Sequence, residues 1–545
     1  MRVYGASLGV ARGVRRLRRR AVGVVAGIAA LGMVLPLSVG STATAASGGS
    51  GLPVLKHGGS MTVLEAGASQ GADPQGIDPA TDGVGGANED YEDAVYGALF
   101  ELSPTGQVVY DLATGSKYLD GRKTVQIDLR HGVKFSDGTP FNSAAVVYNW
   151  TRDFQLKAAN DPAWPLAKQT PFTAAGPYAV DIHLSIPYSP IINSFFDKAP
   201  NWIASPTAMK KEGAKQFAIT PVGAGPFMVV KDVLSIQLTL KRNPLYWQKG
   251  LPYLDNLTFK TISSDQTALE AMKAGEAQAY PFMTTLQLVP TYKQSGFTVT
   301  TMPGTSPTCL QLNTTRPPFN NMLAREAVYY ATDTPLLDKK LNDNLGPAVE
   351  GFTAPAGLFY YPKVPGYRTF DLAKAQAIVK QLGGLSFVLL SAQAGPMLNF
   401  DEALQSMWEA AGMKVTLNPA NLPEVIQNFA GNKWDAVGCG GSWDPATGVG
   451  QNLRFLSNAP FTGVHDPHLD KLLNEATEVP EEQRGAIYRQ IAQYEAQKAY
   501  VVEFYPADIW DVAAKDVSAP GLTSPHPTVI DAPEIWWQYA GYKKS

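Results

Sequence analysis

A serine between two glycines is the first feature that could carry chemistry. Residues 67–71 read Gly-Ala-Ser-Gln-Gly, the G-x-S-x-G pattern with which serine hydrolases expose a nucleophile on a sharp strand-to-helix turn. Pro74 and Pro79 follow where that helix would start, so no helix can begin directly after Ser69 to support an oxyanion hole. We therefore predict that Ser69 is not a nucleophile and that the chain is not an enzyme. A secreted serine hydrolase using Ser69 is the alternative from another functional class.

Two further patterns imitate metal sites. Residues 78–89 match a calcium loop in several carboxylates and a glycine, but the third position of the loop is Ala80, which has no side-chain oxygen. His465 and His468 could share a metal only on one helix face, and Pro467 between them favours the first turn of a helix instead. No P-loop, C-x-x-C or H-E-x-x-H motif occurs. We predict neither a metal nor a cofactor.

The first 45 residues have the composition of an export signal. Seven arginines and no acidic residue lie within residues 1–20, an apolar run spans 21–39, and a cleavage box of small residues follows at 43–45. We predict a signal peptide over 1–45, a flexible leader over 46–56, and an exported, extracytoplasmic protein without a lipid-attachment cysteine. An uncleaved membrane anchor is the alternative, because the apolar run is nearly long enough to span a bilayer.

Charge and cysteine content limit the partners of the mature protein. Loss of the arginine-rich leader leaves a net charge near −10, which provides no electrostatic attraction to nucleic acid or to an anionic membrane. The only cysteines are Cys309 and Cys439, both in strand-like segments. Export permits a disulfide between them, but two unpaired core cysteines are equally compatible with a chain that buries a large core.

The pattern of elements indicates an α/β protein of two or three domains. "SMTVLEAG" and "TVQIDLRHGVKF" alternate like strands, and "NSAAVVYNWTRDF" is an amphipathic helix that Asn142 can cap. From about residue 308, helices separate short apolar strands. That alternation predicts a largely parallel sheet with helices on both faces in the second half.

One glycine-rich loop combines features of a ligand site. The strand at Trp434–Val437 runs into "GCGGSWDPATG", where Trp443 follows a glycine-rich backbone. Open α/β sheets bind ligands at the carboxyl ends of their strands. Trp443 is therefore a candidate ligand contact, and a buried anchor for the loop is the alternative.

Several segments, in order along residues 60–512, resemble one family. They include "GIDPATDGVGGANEDYEDAVYGALFEL", "LRHGVKFSDGTPFNSAAVVYNWTR", "PVGAGPF", "KRNPLYW" and "DPHLDKLLNEATEVPEEQRGAIYRQI". The family is that of the extracellular solute-binding proteins of family 5, which serve ABC importers of peptides and nickel. The resemblance implies a two-lobed periplasmic-binding-protein-like fold with the ligand between the lobes. It places lobe 1 at 57–300 plus 501–545, an inserted subdomain at 93–219, and lobe 2 at 303–499.

The same resemblance implies a set of ligand contacts and partners. The partners would be a peptide or similar small solute and the permease subunits of an ABC importer, with the protein itself a monomer that binds no nucleic acid. The contacts would come from the loop after the first strand, from the glycine-rich loop and from the second crossing between lobes: Asp73, Pro74, Gln75, Cys439, Gly441, Ser442, Trp443, Asp444, Glu503, Phe504 and Tyr505.

Gly441 departs from the family pattern in a way that affects the ligand class. Peptide-binding members carry an aspartate there that pairs with the α-ammonium of the peptide, and a buried ammonium without a partner is costly. Peptides remain the first expected ligands, with oligosaccharides or other polyhydroxylated or cationic solutes as the alternative. Glu503 replaces the usual proline in an apolar strand. It either pairs with an arginine or lysine or contacts the ligand.

Overall fold

The computed structural model describes most of the chain. The described residues are 54–66, 76–81, 89–103, 107–156, 164–196, 198–346, 348–393, 396–439, 454–459, 462–525 and 535–544. None of the helices in these ranges has both the length and the apolar character needed to cross a bilayer.

The strands of these ranges form two large sheets and three smaller ones. In chain order they are β1 (Ser60–Ala66), β2 (Phe100–Leu102), β3 (Val108–Tyr110), β4 (Ala113–Leu119), β5 (Thr124–Leu129), β6 (Phe172–Gly176), β7 (Ala179–His183), β8 (Phe227–Val233), β9 (Gln237–Arg242), β10 (Asn256–Ile262), β11 (Ala279–Met283), β12 (Thr298–Met302), β13 (Pro307–Leu312), β14 (Ser386–Ala392), β15 (Lys414–Ala420), β16 (Ala436–Cys439), β17 (Val501–Pro506), β18 (Ile509–Ala513), β19 (Val517–Ser518) and β20 (Gly541–Tyr542).

The helices cover the faces of these sheets. They are α1 (Glu89–Tyr96), α2 (Ser143–Leu156), α3 (Pro206–Glu212), α4 (Ala214–Ile219), α5 (Asp265–Lys273), α6 (Val289–Gln294), α7 (Met322–Ala331), α8 (Thr334–Leu341), α9 (Leu372–Gln381), α10 (Pro396–Ala410), α11 (Leu422–Ala430), α12 (Pro467–Glu478) and α13 (Glu481–Lys498). Asn142 accepts a hydrogen bond from the amide of Ala145 at 3.1 Å, as expected of its predicted capping role. Pro467 begins α12, as its sequence context predicted, and Asp466 caps that helix.

The first lobe is built on a seven-stranded sheet. Its strand order is β12-β18-β11-β1-β10-β9-β8, with β1 parallel to both of its neighbours and the remaining pairs antiparallel. Apolar side chains of β1 alternate between two cores. Val63 packs in the core that contains residues of α1, and Leu64 packs in the core that contains residues of α5. The sheet is therefore buried on both faces, which explains why β1 reads as an apolar strand.

The second lobe is built on a five-stranded sheet of order β15-β14-β16-β13-β17. The prediction of a largely parallel sheet was wrong for half of its pairings. β14 is parallel to β15 and β16, but β13 is antiparallel to β16 and β17. The reason is topological: β13 carries the chain away from the first lobe and β17 carries it back, so two neighbouring strands with these roles run in opposite directions.

The inserted segment forms its own small α/β unit. A four-stranded antiparallel sheet, β4-β5-β7-β6, packs with α2 around an aromatic core. Trp150 of α2 lies at the centre of this core, with Phe172 and Phe195 at ring-centroid distances of 5.4 and 5.8 Å. The alternation of "TVQIDL" and the amphipathic pattern of α2 are thus both explained by burial against this core.

Two short segments cross between the large sheets. One joins β12 to β13, and the other joins β17 to β18. The predicted boundary returned the chain to lobe 1 at residue 501, but Val501–Pro506 pairs with β13 in the five-stranded sheet, and the change of sheet lies between Pro506 and Ile509. The crossings also bond to each other, because the amide of Gly304 donates to Oδ1 of Asp508 at 2.9 Å. A Cβ atom at Gly304 would lie 2.5 Å from the carbonyl oxygen of Ala507, so only glycine permits this close approach.

Candidate functional site

Most of the predicted ligand contacts fall outside the described residues. These are Ser69 with its elbow pattern and the predicted contacts Asp73, Pro74, Gln75, Gly441, Ser442, Trp443 and Asp444. The structure does describe the strands that lead into both loops. β1 ends at Ala66, just before the first loop, and β16 ends at Cys439, just before the second.

The strand register shows where these two strands end. In the first sheet, Met302 pairs with Ile509 at the point where the crossings leave, and Met283 pairs with Trp510 beside it. β1 runs parallel to β11 with Val63 opposite Ala279, so Ala66 reaches the same edge. We call this the crossing edge of the first sheet.

The second sheet has an equivalent crossing edge. Pro307 and Pro506 pair there, at the start of β13 and the end of β17. Cys309 pairs with Cys439, so β16 also ends at this edge. Both glycine-containing loops therefore leave the carboxyl ends of strands at the edges from which the two crossings emerge. Open α/β sheets bind ligands at such strand ends.

The three predicted contacts on β17 differ in their environments. Phe504 is fully buried in the core of the second lobe, with its ring 4.8 Å from that of Phe400. Tyr505 is half-buried, and its carbonyl oxygen accepts a hydrogen bond from Oγ1 of Thr308 at 3.2 Å. Only Tyr505 of these two has a partly exposed surface.

Glu503 has an unusual environment for a carboxylate. Glu503 is only 4% exposed, and its Oε2 atom is buried without a hydrogen-bond partner. Burial raises the pKa of Glu503 to about 7, against the opposing influence of the Arg454 guanidinium. Glu503 in turn raises the pKa of Glu495, after the larger effect of that residue's own burial. The predicted relationship to a cation therefore takes the form of an electrostatic interaction with Arg454.

Arg454 connects this carboxylate to the cysteine pair. The guanidinium donates to Oε1 of Gln311 at 3.0 Å and to Sγ of Cys309 at 2.9 Å. Cys309 is disulfide-bonded, and the only other cysteine in the chain is Cys439, its register partner on β16. Of the two alternatives for the cysteines, the structure contains the disulfide.

Contacts between the inserted unit and the second lobe were missed by sequence reasoning. Nη2 of Arg122 donates to the carbonyl oxygen of Glu478 at 2.7 Å, at the C-terminal end of α12, and the hydroxyl of Ser189 donates to the carbonyl oxygen of Val479. A cavity of about 580 Å³ adjoins these bonds, lined by Arg122, Pro187, Lys471, Asn474, Glu475, Glu478, Val479 and Pro480. Three positive φ angles at Asp120, Gly121 and Arg122 form the turn that presents the guanidinium. The "DGRK" turn was the available signal, but it does not reveal a partner more than 300 residues away.

The metal-like patterns have structural explanations where they are described. Asp78, the first position of the calcium-like loop, accepts hydrogen bonds from both terminal nitrogens of Arg152 at 2.7 and 2.5 Å. Within the described ranges, no group of three or more His, Cys, Asp or Glu residues could hold a metal ion.

Comparisons with known proteins agree on a family and a fold. The family model described as bacterial extracellular solute-binding proteins, family 5 Middle, matches residues 107–462. The glutathione-binding protein GsiB of Shigella flexneri serotype 5b is 31% identical over 308 residues, which are 54% of this chain and 58% of that protein. The chain thus spans less than two thirds of the length of this curated relative.

Solved structures of low identity share the fold. A dipeptide-binding protein from Pseudoalteromonas sp. SM9913, in complex with Met-Leu, aligns with a TM-score of 0.75 and 19% identity, covering 89% of this chain and 100% of that one. The protein AgaA from Agrobacterium tumefaciens R10, in complex with agropinic acid, aligns with a TM-score of 0.72 and 20% identity, covering 89% of this chain and 99% of that one.

Proposed function

The chain belongs to the bacterial extracellular solute-binding proteins of family 5, and from this premise we propose that it is the extracytoplasmic substrate-binding component of an ABC importer. It captures a small solute between its two lobes and presents the closed form to membrane permease subunits. The observation that carries the proposal is that β1 and β16 both end at the crossing edges of their sheets. A ligand that contacts both edges stabilises closure of the lobes.

The proposed contacts are the loop residues at these edges together with the exposed part of β17. The first loop contributes Asp73, Pro74 and Gln75, and the second contributes Cys439, Gly441, Ser442, Trp443 and Asp444. Tyr505 has the partly exposed surface that a contact requires. For Glu503 and Phe504, which are buried, the proposed role is to support the second crossing.

Peptides are the first proposed solute class. The names of the relatives support this choice, since one is a glutathione-binding protein and one structural neighbour holds Met-Leu. Another neighbour holds agropinic acid, so a solute other than a peptide, such as a polyhydroxylated or cationic one, remains the alternative. Gly441 removes the aspartate that would hold a free α-ammonium, so the second loop is not expected to anchor a free peptide N-terminus.

The proposed function includes a cellular location and a set of partners. The protein acts outside the cytoplasmic membrane as a monomer, has no catalytic activity and docks on the permease of its importer. A secreted hydrolase using Ser69 is the rival function. The two differ in a direct assay, since Ser69→Ala abolishes ester or peptide hydrolysis only if the rival is correct.

Trp443→Ala tests the binding function. Loss of an indole stacking face costs on the order of 1–3 kcal/mol, or about ten- to a hundredfold in affinity. Native mass spectrometry of protein purified without denaturation identifies a retained solute, and calorimetric titration with glutathione and Met-Leu measures affinity. We expect Trp443→Ala to lose the retained solute and to weaken probe binding while its thermal unfolding stays unchanged.

Phe370→Ala is the matched control, because Phe370 is an aromatic residue of the second lobe that is 42% exposed. It should bind like the wild type. Equal binding by the wild type and Trp443→Ala would contradict the assignment of the second loop. No retained solute and no binding of any probe, together with Ser69-dependent hydrolysis, would overturn the proposed function.

A further inference from the structure

Three carboxylates meet at the crossing edge of the first sheet. Glu65 lies on β1 next to its end, Asp511 is the central residue of β18, and Asp90 lies in the first turn of α1. β1 and β18 flank β11 in the sheet. Glu65 lies two residues beyond Val63 and Asp511 two residues before Ala513, and both of these apolar residues belong to the core that includes α1. Since side chains alternate along a strand, Glu65 and Asp511 point to the face that α1 covers.

The hydrogen bonds of this cluster leave acceptor atoms unused. Oδ1 of Asp511 accepts from the amide of Phe282 at 2.9 Å, and Oδ1 of Asp90 accepts from Nε1 of Trp537 at 3.1 Å. Oδ2 of Asp511 has no hydrogen-bond partner although the residue is 0% exposed, and Oε1 of Glu65 is likewise buried and unpaired. Unpaired buried acceptors are costly and rare in native proteins.

Among the described residues, no cation acts on this cluster in the electrostatic influences that shift its pKa values. Burial and then the charges of Asp90 and Asp511 raise the pKa of Glu65, and burial raises the pKa of Asp511, with a further contribution from Asp90. The influences on these carboxylates include no lysine, arginine or histidine. The adjoining sequence segments 67–75 and 82–88 contain two aspartates and no basic residue. A cation from outside the chain would stabilise the charged forms of these carboxylates, which their burial and their mutual repulsion disfavour.

The three carboxylates differ in exposure. Glu65 and Asp90 are half-buried, whereas Asp511 is fully buried. The unpaired carboxylate oxygens favour an organic cation with several N–H donors, and the described residues provide no ligand set for a metal ion. Ammonium and guanidinium groups match unpaired carboxylate oxygens through charge-assisted hydrogen bonds.

We propose that Glu65, Asp90 and Asp511 form an acidic subsite of the first lobe that receives an ammonium or guanidinium group of the transported solute. This inference rests on the proposed function, because it needs a solute between the lobes. In this proposal the carboxylate that binds the cationic group of the solute lies in the first lobe. The second lobe has Gly441 at the position where family members carry the aspartate. The transported solute is then an amine or guanidine compound and is held through that group.

The test uses the full-length mature protein and two probes that differ mainly in charge. Calorimetric titration is performed with 1,5-diaminopentane and with its neutral analogue 1,5-pentanediol, on the wild type and on Glu65→Gln. We expect saturable binding of the diamine, no binding of the diol, and at least a tenfold weaker affinity for the diamine in Glu65→Gln. Asp511→Asn is the second variant and should weaken the diamine to a similar extent, with circular dichroism confirming that both variants fold.

Glu270→Gln is the matched control, because Glu270 is an exposed carboxylate of the same lobe on α5, with a side chain 62% exposed. It should bind the diamine like the wild type. Absence of saturable diamine binding, equal binding of the diol, or unchanged affinity in both subsite variants would overturn the acidic subsite. Such a failure is distinguishable from failure of the proposed function, since a retained solute or binding of glutathione or Met-Leu would still support solute capture.

Discussion

Replacing Arg152 by methionine should strongly destabilise the protein. Arg152 lies on α2 of the inserted unit, and Asp78 lies on the segment that follows the first loop of lobe 1. The two terminal nitrogens of Arg152 donate to the two carboxylate oxygens of Asp78 at 2.7 and 2.5 Å. The Asp78 side chain is 0% exposed and that of Arg152 is 16% exposed. The substitution keeps the apolar stem of the side chain and removes its charge.

The expected loss follows from what remains around Asp78. Within the described part of the chain, the other donor to its side chain is the amide of Ala80, at a long 3.3 Å. Removing one partner of a buried ion pair costs about 3–5 kcal/mol, because the remaining charge is left unpaired in a region of low polarity. Arg152 retains some solvent contact, so we expect a loss near the lower limit, about 3 kcal/mol. The double variant Asp78→Asn with Arg152→Met should recover a large part of this loss.

Urea unfolding followed by tryptophan fluorescence provides the measurement, with the midpoint and slope compared between variants. Trp150 and Trp164 in the core of the inserted unit report on the same region. Lys363→Met is the matched control, since Lys363 forms an ion pair with Glu350 at 2.6 Å but its side chain is 85% exposed. That change should cost less than about 1 kcal/mol. An equally small loss in Arg152→Met would refute the reasoning that the buried carboxylate depends on its partner.

Two further perturbations follow from other contacts. Arg122→Ala removes the 2.7 Å hydrogen bond to the carbonyl oxygen of Glu478. The loss of a charged hydrogen bond, which contributes about 1.5–3 kcal/mol, should favour separation of the inserted unit from lobe 2. Small-angle X-ray scattering should then give a larger radius of gyration, and an unchanged curve would contradict this. The pKa of Glu503 is about 7 in the folded protein, against a reference value of 4.5 that applies to the unfolded chain. The unfolded chain therefore loses the proton first, and the contribution of Glu503 to the free energy of unfolding falls as pH rises from 4.5 to 7. Glu503→Gln should therefore gain up to about 3 kcal/mol over the wild type between pH 5 and pH 8 in urea unfolding, and equal pH slopes would exclude this.

Local features of the chain were predictable because their causes lie within a few residues. The cap at Asn142 and the start of α12 at Pro467 depend on hydrogen bonds and backbone angles within one turn. The alternation in β1 and β5 records burial on opposite faces of a strand, which the order of residues carries directly. The family and its two-lobed fold were predictable for a related reason, since the motifs occur in order along the chain.

The tertiary structure alone decided which distant groups meet. Asp78 and Arg152 are 74 positions apart, and Glu65 and Asp511 come from opposite ends of the chain. Which sheet includes β17, and which residue pairs with Cys309, also depended on the register between strands that are distant in sequence. Local patterns fix how an element is folded and which of its faces is buried. They do not fix which element packs against that face, because the free energy of that choice is shared among many contacts that form only when the whole chain is folded.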